Sequence, residues 1–189
     1  MAENYYNTKA SVAEYIKLAK GVNGGELINE LKTVLPSNSK LLEIGTGPGT
    51  DWELLKRTYE VTGSDSSKVF LSHLVSSHPL GKFLELDAVT LQTDETFNGI
   101  YSNKVLHHLK DHELKESIKR QVAVLNPAGI VCHSFWKGEG SEVFKGLFVN
   151  YHSEEVLRSY FEDFFDILVL ESYGEFESGD SILMIGKKK

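Results

Sequence analysis

The sequence is short of several things, and each shortage narrows the reading. It holds one cysteine, Cys132, in 189 residues. No internal disulfide can form, and a reducing, cytoplasmic setting is the expectation. No apolar run approaches the ~18 residues of a membrane span. The amino-terminal MAENYYNTKA shows no basic start leading into an apolar core, so a signal peptide is not expected. Positive charge is also scarce. Twenty Lys and Arg against 27 Asp and Glu give a net charge of −7. That balance argues against sequence-independent binding of nucleic acid, which needs a basic face. No internal repeat or low-complexity segment is present. What remains, 41% hydrophobic and 25% charged residues, is ordinary for one soluble globular domain with a single core.

Hydrophobic spacing supplies the elements. Val12, Tyr15, Ile16 and Ala19 recur at helical spacing, and Gly21, Asn23, Gly24 and Gly25 break that helix. A second helix, Glu26–Leu35, carries Leu27, Ile28, Leu31 and Leu35 and ends at Pro36. Strands and helices then alternate. Strands are predicted at Lys40–Ile44, Val61–Asp65, Gly81–Leu86, Gly99–Ser102 and Ile130–Phe135, with helices at Asp51–Tyr59, Lys68–Val75 and Asp111–Leu125. Asn126-Pro127-Ala128-Gly129 reads as a turn. Ser153–Phe161 is a helix with Ser153 as its N-cap. Phe164–Tyr173 and Ser181–Gly186 are strands joined too briefly for a parallel crossover, so they form an antiparallel hairpin that finishes one edge. The fold class is therefore α/β, a doubly wound and mostly parallel sheet with helices on both faces.

The stretch LLEIGTGPGTDWELL, Leu41–Leu55, sits where such sheets bind ligands, at the carboxyl end of the first strand. A dinucleotide fingerprint needs glycines at its first, third and sixth places. Here they are Gly45, Gly47 and Gly49, the first, third and fifth, with Thr50 in the sixth. A P-loop needs a Gly-Lys-Ser/Thr that is missing. Pro48 has no N–H for an anion, and Glu43 places a carboxylate nearby. The loop suits a ligand that is positive near the glycines, and S-adenosylmethionine carries a sulfonium and an ammonium close together.

With these residues in place, the chain resembles the class I S-adenosylmethionine-dependent methyltransferases. Leu41–Gly49 resembles that family's first motif. Asp65 in VTGSDSS resembles its ribose-binding acid, and LELDAVTL its adenine-side motif. FNGIYSNKVLHHL resembles its fourth motif, and LNPAGIVCHSFW the turn and strand that follow its fifth helix. The resemblance implies a seven-stranded Rossmann-like sheet in one domain over 1–189, with 1–38 as an N-terminal helical cap. It implies S-adenosylmethionine as cofactor, touched by Glu43, Gly45, Thr46, Gly47, Gly49, Asp65, Ser66, Asp87, Ala88, Ser102 and Asn103. Asp65 would accept two ribose hydroxyls, Asp87 the adenine amino group, and the Ala88 N–H would donate to a ring nitrogen. Phe70, Val89 and Leu106 are candidates to sandwich the purine.

The implied activity is methyl transfer to a small-molecule acceptor, with S-adenosylhomocysteine as product. Tyr15, Trp136, Phe148 and Tyr151 are the acceptor-binding candidates, and Tyr5, Tyr6 and Tyr15 could close over the site. His107 and His152 are candidate general bases. His108 and His112 share a helical spacing but have no third partner of metal-site spacing, so no metal is expected. No nucleic-acid or membrane partner is expected. Two other readings stay open. One is a cofactor-binding module or partner subunit without catalysis. The other is a nicotinamide-dependent oxidoreductase, which Thr50 and Glu43 disfavour.

Overall fold

The computed structural model describes residues 6, 8–18, 21–144 and 146–189, with the backbone alone at Leu18. Tyr5 and Ala19 lie outside the described residues. Helices α1 (Lys9–Leu18) and α2 (Gly25–Val34) precede β1 (Lys40–Ile44), α3 (Thr50–Leu55), β2 (Glu60–Asp65), α4 (Lys68–Ser77), β3 (Lys82–Glu85) and β4 (Phe97–Asn103). A 3₁₀ turn (Leu106–His108), α5 (Asp111–Val124) and β5 (Leu125–Trp136) come next. The chain ends with β6 (Ser141–Phe144), β7 (Leu147–Asn150), α6 (Glu154–Phe161), β8 (Phe165–Tyr173) and β9 (Ser181–Lys188).

Seven strands form one sheet in the order β3-β2-β1-β4-β5-β9-β8. The pairs among β1 to β5 are parallel, while β9 runs antiparallel to both β5 and β8. The doubly wound sheet and its closing hairpin are as expected, with β8 on the edge. Strand order reverses between β1 and β4, so the loops after these strands flank the ligand crevice. Period-2 alternation feeds two cores. Leu41, Tyr101, Cys132 and Ile185 pack with Leu27, Ile28 and Leu31 of α2 and Trp52 and Leu55 of α3. Leu42, Ile44, Ile100 and Val131 pack with Leu114 and Ile118 of α5 and Leu157 and Phe161 of α6. No helix among the described residues is long and apolar enough to cross a membrane.

One expectation needs correction. The 126–129 turn lies inside β5, not before it. Phe97 pairs with Leu125 and Gly99 with Ile130, so the intervening residues bulge out, with Ala128 at φ 59°. The segment Trp136–His152 holds the hairpin β6–β7, turning through Gly146 at φ 81°. Ser153 caps α6 as expected, its Oγ accepting from the Val156 N–H at 3.2 Å.

Candidate functional site

The glycine loop leaves β1 and enters α3 with Gly45, Gly47 and Gly49 all at positive φ (70°, 52° and 89°). Two of these glycines serve packing. A Cβ on Gly45 would lie 2.5 Å from Val105 Cγ2, and one on Gly49 would lie 2.7 Å from Leu74 Cδ2. Gly47 differs, since a Cβ there would meet nothing closer than the Gly45 carbonyl at 3.9 Å. Packing therefore does not require a glycine there, although the residue is buried.

Asp65 stands beside that opening. Its Oδ2 accepts the Gly47 N–H at 2.9 Å and its Oδ1 the Ser67 N–H at 2.8 Å, which fixes the carboxylate's plane. Burial raises its pKa, opposed by backbone N–H groups of Ser67, Gly47 and Ser66. Ser66 is exposed. Thr46 ties the loop to β2, its Oγ1 accepting the Ser64 N–H at 2.9 Å while it bonds the Glu43 carboxyl.

Glu43 is buried, and its Oε2 has no hydrogen-bond partner. Burial, followed by the nearby Asp51 charge, lifts its pKa well above the usual carboxylate range. The sequence reading treated Glu43 as a fixed negative charge. Burial favours its protonated form, and a cation placed beside it would draw that proton off.

Asp51 joins three elements and was not singled out from sequence. Its Oδ1 accepts the Gly24 N–H at 2.7 Å, and its Oδ2 accepts Tyr101 Oη at 2.7 Å and Asn103 Nδ2 at 3.1 Å. Asn103 is thereby held at the end of β4, with its Oδ1 accepting from Ser134 Oγ at 2.6 Å. Ser102, the neighbouring candidate, faces the opposite side of the strand. It bonds His133 Nδ1 at 2.8 Å, and His133 Nε2 lies 2.8 Å from Gln121 Oε1. An amide oxygen only accepts, so Nε2 carries the proton and Nδ1 accepts from Ser102. Burial pushes the His133 pKa down to about 3, keeping the ring neutral. Gln121 Nε2 then reaches Ser117 Oγ at 3.2 Å, which donates to the Ala88 carbonyl at 2.6 Å. The Ser102 side chain is thus spent inside the fold.

Asp87 is exposed, and its Oδ1 accepts the N–H groups of Val89 and Thr90, each at 2.9 Å. Of the purine-stacking candidates, Leu106 is fully buried in the core and Val89 is half-buried. Phe70 is buried against the rings of Tyr6 (5.6 Å) and Tyr15 (5.8 Å).

Of the four acceptor candidates, Trp136, Phe148 and Tyr151 are linked through the histidines, while Tyr15 stands apart. Tyr15 sits against α4 through Phe70. Trp136 lies under Lys104, whose Nζ is 3.5 Å from the indole centroid, and stacks on Phe176. The Phe148 carbonyl bonds His108 Nδ1 at 2.7 Å, and Tyr151 Oη donates to Glu142 at 2.6 Å on the β6–β7 hairpin. A cleft of about 460 Å³ opens elsewhere, between α2, Asn103 and Tyr173–Phe176.

Residues 41–129 match the family described as a methyltransferase domain. That segment is just under half of the chain, and by it the chain is similar to methyltransferases. A curated relative, the trans-aconitate 2-methyltransferase of Variovorax paradoxus strain S110, is 33% identical over 101 residues. That match takes in 51% of this chain, and the chain spans only 38% of the relative's length. Solved structures agree in fold. The N-methyltransferase NodS of Bradyrhizobium japonicum WM9, in complex with S-adenosyl-L-homocysteine, has a TM-score of 0.72 at 17% identity. The match covers 99% of this chain and 96% of that one. The 1,6-didemethyltoxoflavin-N1-methyltransferase of Burkholderia thailandensis has a TM-score of 0.75 at 17% identity, covering 95% and 84%.

The histidines cluster beyond β4. His107 and His108 have ring centroids 4.0 Å apart. His107 is buried with Nδ1 unpartnered, and burial holds its pKa well below the usual histidine value. His152 is buried with Nδ1 unpartnered, its Nε2 is 3.8 Å from Asp111, and burial lowers its pKa. Among the described residues no three His, Cys, Asp or Glu side chains gather to hold a metal ion.

Proposed function

We propose that the protein binds S-adenosylmethionine and transfers its methyl group to a small-molecule acceptor. One observation carries the reading. The Gly47 N–H holds an oriented Asp65 carboxylate, and the buried Glu43 of β1, just before the same loop, keeps an unpartnered oxygen. The donor set fits the cofactor. Asp65 offers two fixed oxygens to a diol, and Glu43 offers an unused acceptor to a cation. Gly45, Thr46, Gly47 and Gly49 would form the floor. Ser66, Asp87, Ala88 and Asn103 would border it, and residues 1–38 would cap it. Ser102 would contribute through its backbone alone.

The bound cofactor supplies a methyl group already activated by its sulfonium sulfur. The chain then has to orient the acceptor and exclude water. Asn103, clamped by Asp51 and Ser134, fixes the boundary between the glycine loop and the cleft. His107 and His152 stay neutral at physiological pH, so each has a ring nitrogen free of charge, yet their lowered pKa values make both weak bases. A methyl acceptor with a low barrier to deprotonation suits such a site. The small-molecule class of acceptor is supported by the toxoflavin-precursor enzyme among the structural neighbours. Calorimetric titration with S-adenosylhomocysteine tests the binding half. Absence of heat from a folded sample at high micromolar ligand would sink it. Release of S-adenosylhomocysteine from S-adenosylmethionine in the presence of pooled metabolites tests the transfer half, and its absence would leave a binding module.

A further inference from the structure

We propose that the cleft between α2 and the β8–β9 loop selects an amine-bearing acceptor, with Glu175 as the residue that receives the amino group. The proposal rests on the methyl-transfer reading and names the acceptor class of that site. The cleft adjoins the cofactor elements through Asn103 and through Gly24, both bonded to Asp51.

Its chemistry is one-sided. Among the described residues its lining holds two carboxylates, Glu26 and Glu175, and three amides, Asn23, Asn29 and Asn103, but no lysine or arginine. Two more carboxylates stand behind the wall. Asp51 holds Gly24, and Asp180 accepts the N–H groups of Glu175, Phe176 and Glu177 at 2.9, 2.9 and 3.0 Å. Among the described residues the cation beside the cleft is Lys104, and it is engaged. Its Nζ is 2.7 Å from Glu175 Oε2 and 2.6 Å from Ser181 Oγ, with the Trp136 ring beneath. Lys104 pins Glu175 by one oxygen and leaves Oε1 for a ligand. Phe176, 70% exposed and stacked on Trp136, supplies an apolar lip.

This arrangement matches the charge flow of N-methylation. The amine enters as its ammonium and gives one proton to water, which frees the nitrogen lone pair. That pair forms the new N–C bond as the C–S bond breaks, and the C–S bonding pair stays on sulfur as a neutral thioether. Positive charge therefore passes from sulfur to nitrogen, and the methylated amine leaves as an ammonium. Carboxylates around the cleft favour charge arriving there. A carboxylate or phenolate acceptor would instead bring negative charge among Glu26, Asp51, Glu175 and Asp180.

The test uses the full chain saturated with S-adenosylhomocysteine, whose binding is measured first, so that failure at that step speaks against the cofactor reading alone. 2-Phenylethylamine and 3-phenylpropionate are then titrated separately. The amine is expected to bind at least tenfold tighter than the carboxylate. Glu175→Gln should weaken the amine at least tenfold while S-adenosylhomocysteine affinity stays within twofold. Glu26→Gln, on the exposed first turn of α2 and away from the loop, should weaken it less but in the same direction, which covers a Glu175 variant that fails to fold. Equal or tighter binding of the carboxylate, no binding of the amine, or an amine affinity indifferent to both substitutions would overturn the proposal.

Discussion

The Gly24 N–H donates to Asp51 Oδ1 at 2.7 Å across 27 residues of chain. That bond fixes where α2 begins relative to the glycine loop, and Gly24 is confined further because a Cβ there would lie 2.0 Å from Tyr101 Oη. Asp51→Asn presents an amide where three donors converge. One buried mismatch of this kind costs about 2 kcal/mol, or roughly 4–8 °C in Tm for a chain of this size. Thermal unfolding checks the loss, and amide exchange at Gly24 should accelerate. An unchanged Gly24 amide would show that the bond does not hold the helix.

Asp65→Ala removes both oxygens offered to the ribose. Charge-assisted hydrogen bonds contribute about 1.5–3 kcal/mol each, so affinity for S-adenosylhomocysteine should fall by about two to four decades. Calorimetry measures it. A change below threefold would mean that the ribose lies elsewhere.

The two glycines should separate stability from binding. Gly45→Ala puts a methyl 2.5 Å from Val105 and should lower Tm strongly. Gly47→Ala meets only an ordinary contact with the Gly45 carbonyl and pays mainly for its left-handed backbone, about 1–2 kcal/mol. It should keep the fold yet lose at least tenfold in cofactor affinity. Retained affinity in Gly47→Ala would remove that glycine from the site.

Glu43 links pH to both stability and binding. Its folded pKa lies above its unfolded value because burial penalises the charge, so the folded state holds more protons between the two. Its contribution to stability is then fully present below the unfolded pKa and declines as pH rises through the folded one. Glu43→Gln should flatten that decline in thermal melts. A cationic ligand favours the carboxylate, so S-adenosylmethionine should bind with proton release and gain affinity as pH rises through the same window. Titration in two buffers of different ionisation enthalpy reads the proton directly. Identical heats in both would exclude Glu43 from the cation's surroundings.

Ser102→Ala leaves His133 Nδ1 buried without a donor, at about 1–3 kcal/mol. Tm should fall while S-adenosylhomocysteine affinity stays within twofold. A tenfold loss of affinity would return the Ser102 hydroxyl to the cofactor.

Much of this architecture could be read along the chain. The bounds of β1 follow directly from its apolar run, and the β8–β9 hairpin from a connection too short for a crossover. Gly47 and Asp65 stood out because loop and strand end each carry a local pattern. The β6–β7 hairpin carried one too, a short turn ending in Gly146 between apolar pairs. It was obscured because β6 is exposed along its whole length and shows no alternation. Asp51 had no local signal at all. A first-turn acid in a helix looks like a response to the dipole, and its partners lie 27, 50 and 52 residues away. Lys104 and Glu175 became a pair only when β8 and β9 brought their connecting loop over the end of β4.

The place of β9 has a consequence for how the chain assembles. Ser181–Lys188, the final strand, is inserted between β5 and β8 and pairs with both along its length. Its side chains alternate between the two cores, with Ile182 and Met184 on one face and Leu183 and Ile185 on the other. During synthesis β5 has an unpaired edge, and both cores remain unsealed, until these residues arrive. The nascent domain should therefore hold its glycine loop and Asp65 early but reach full cooperativity only once β9 is in place, with β5 the strand most open to mispairing in the interval.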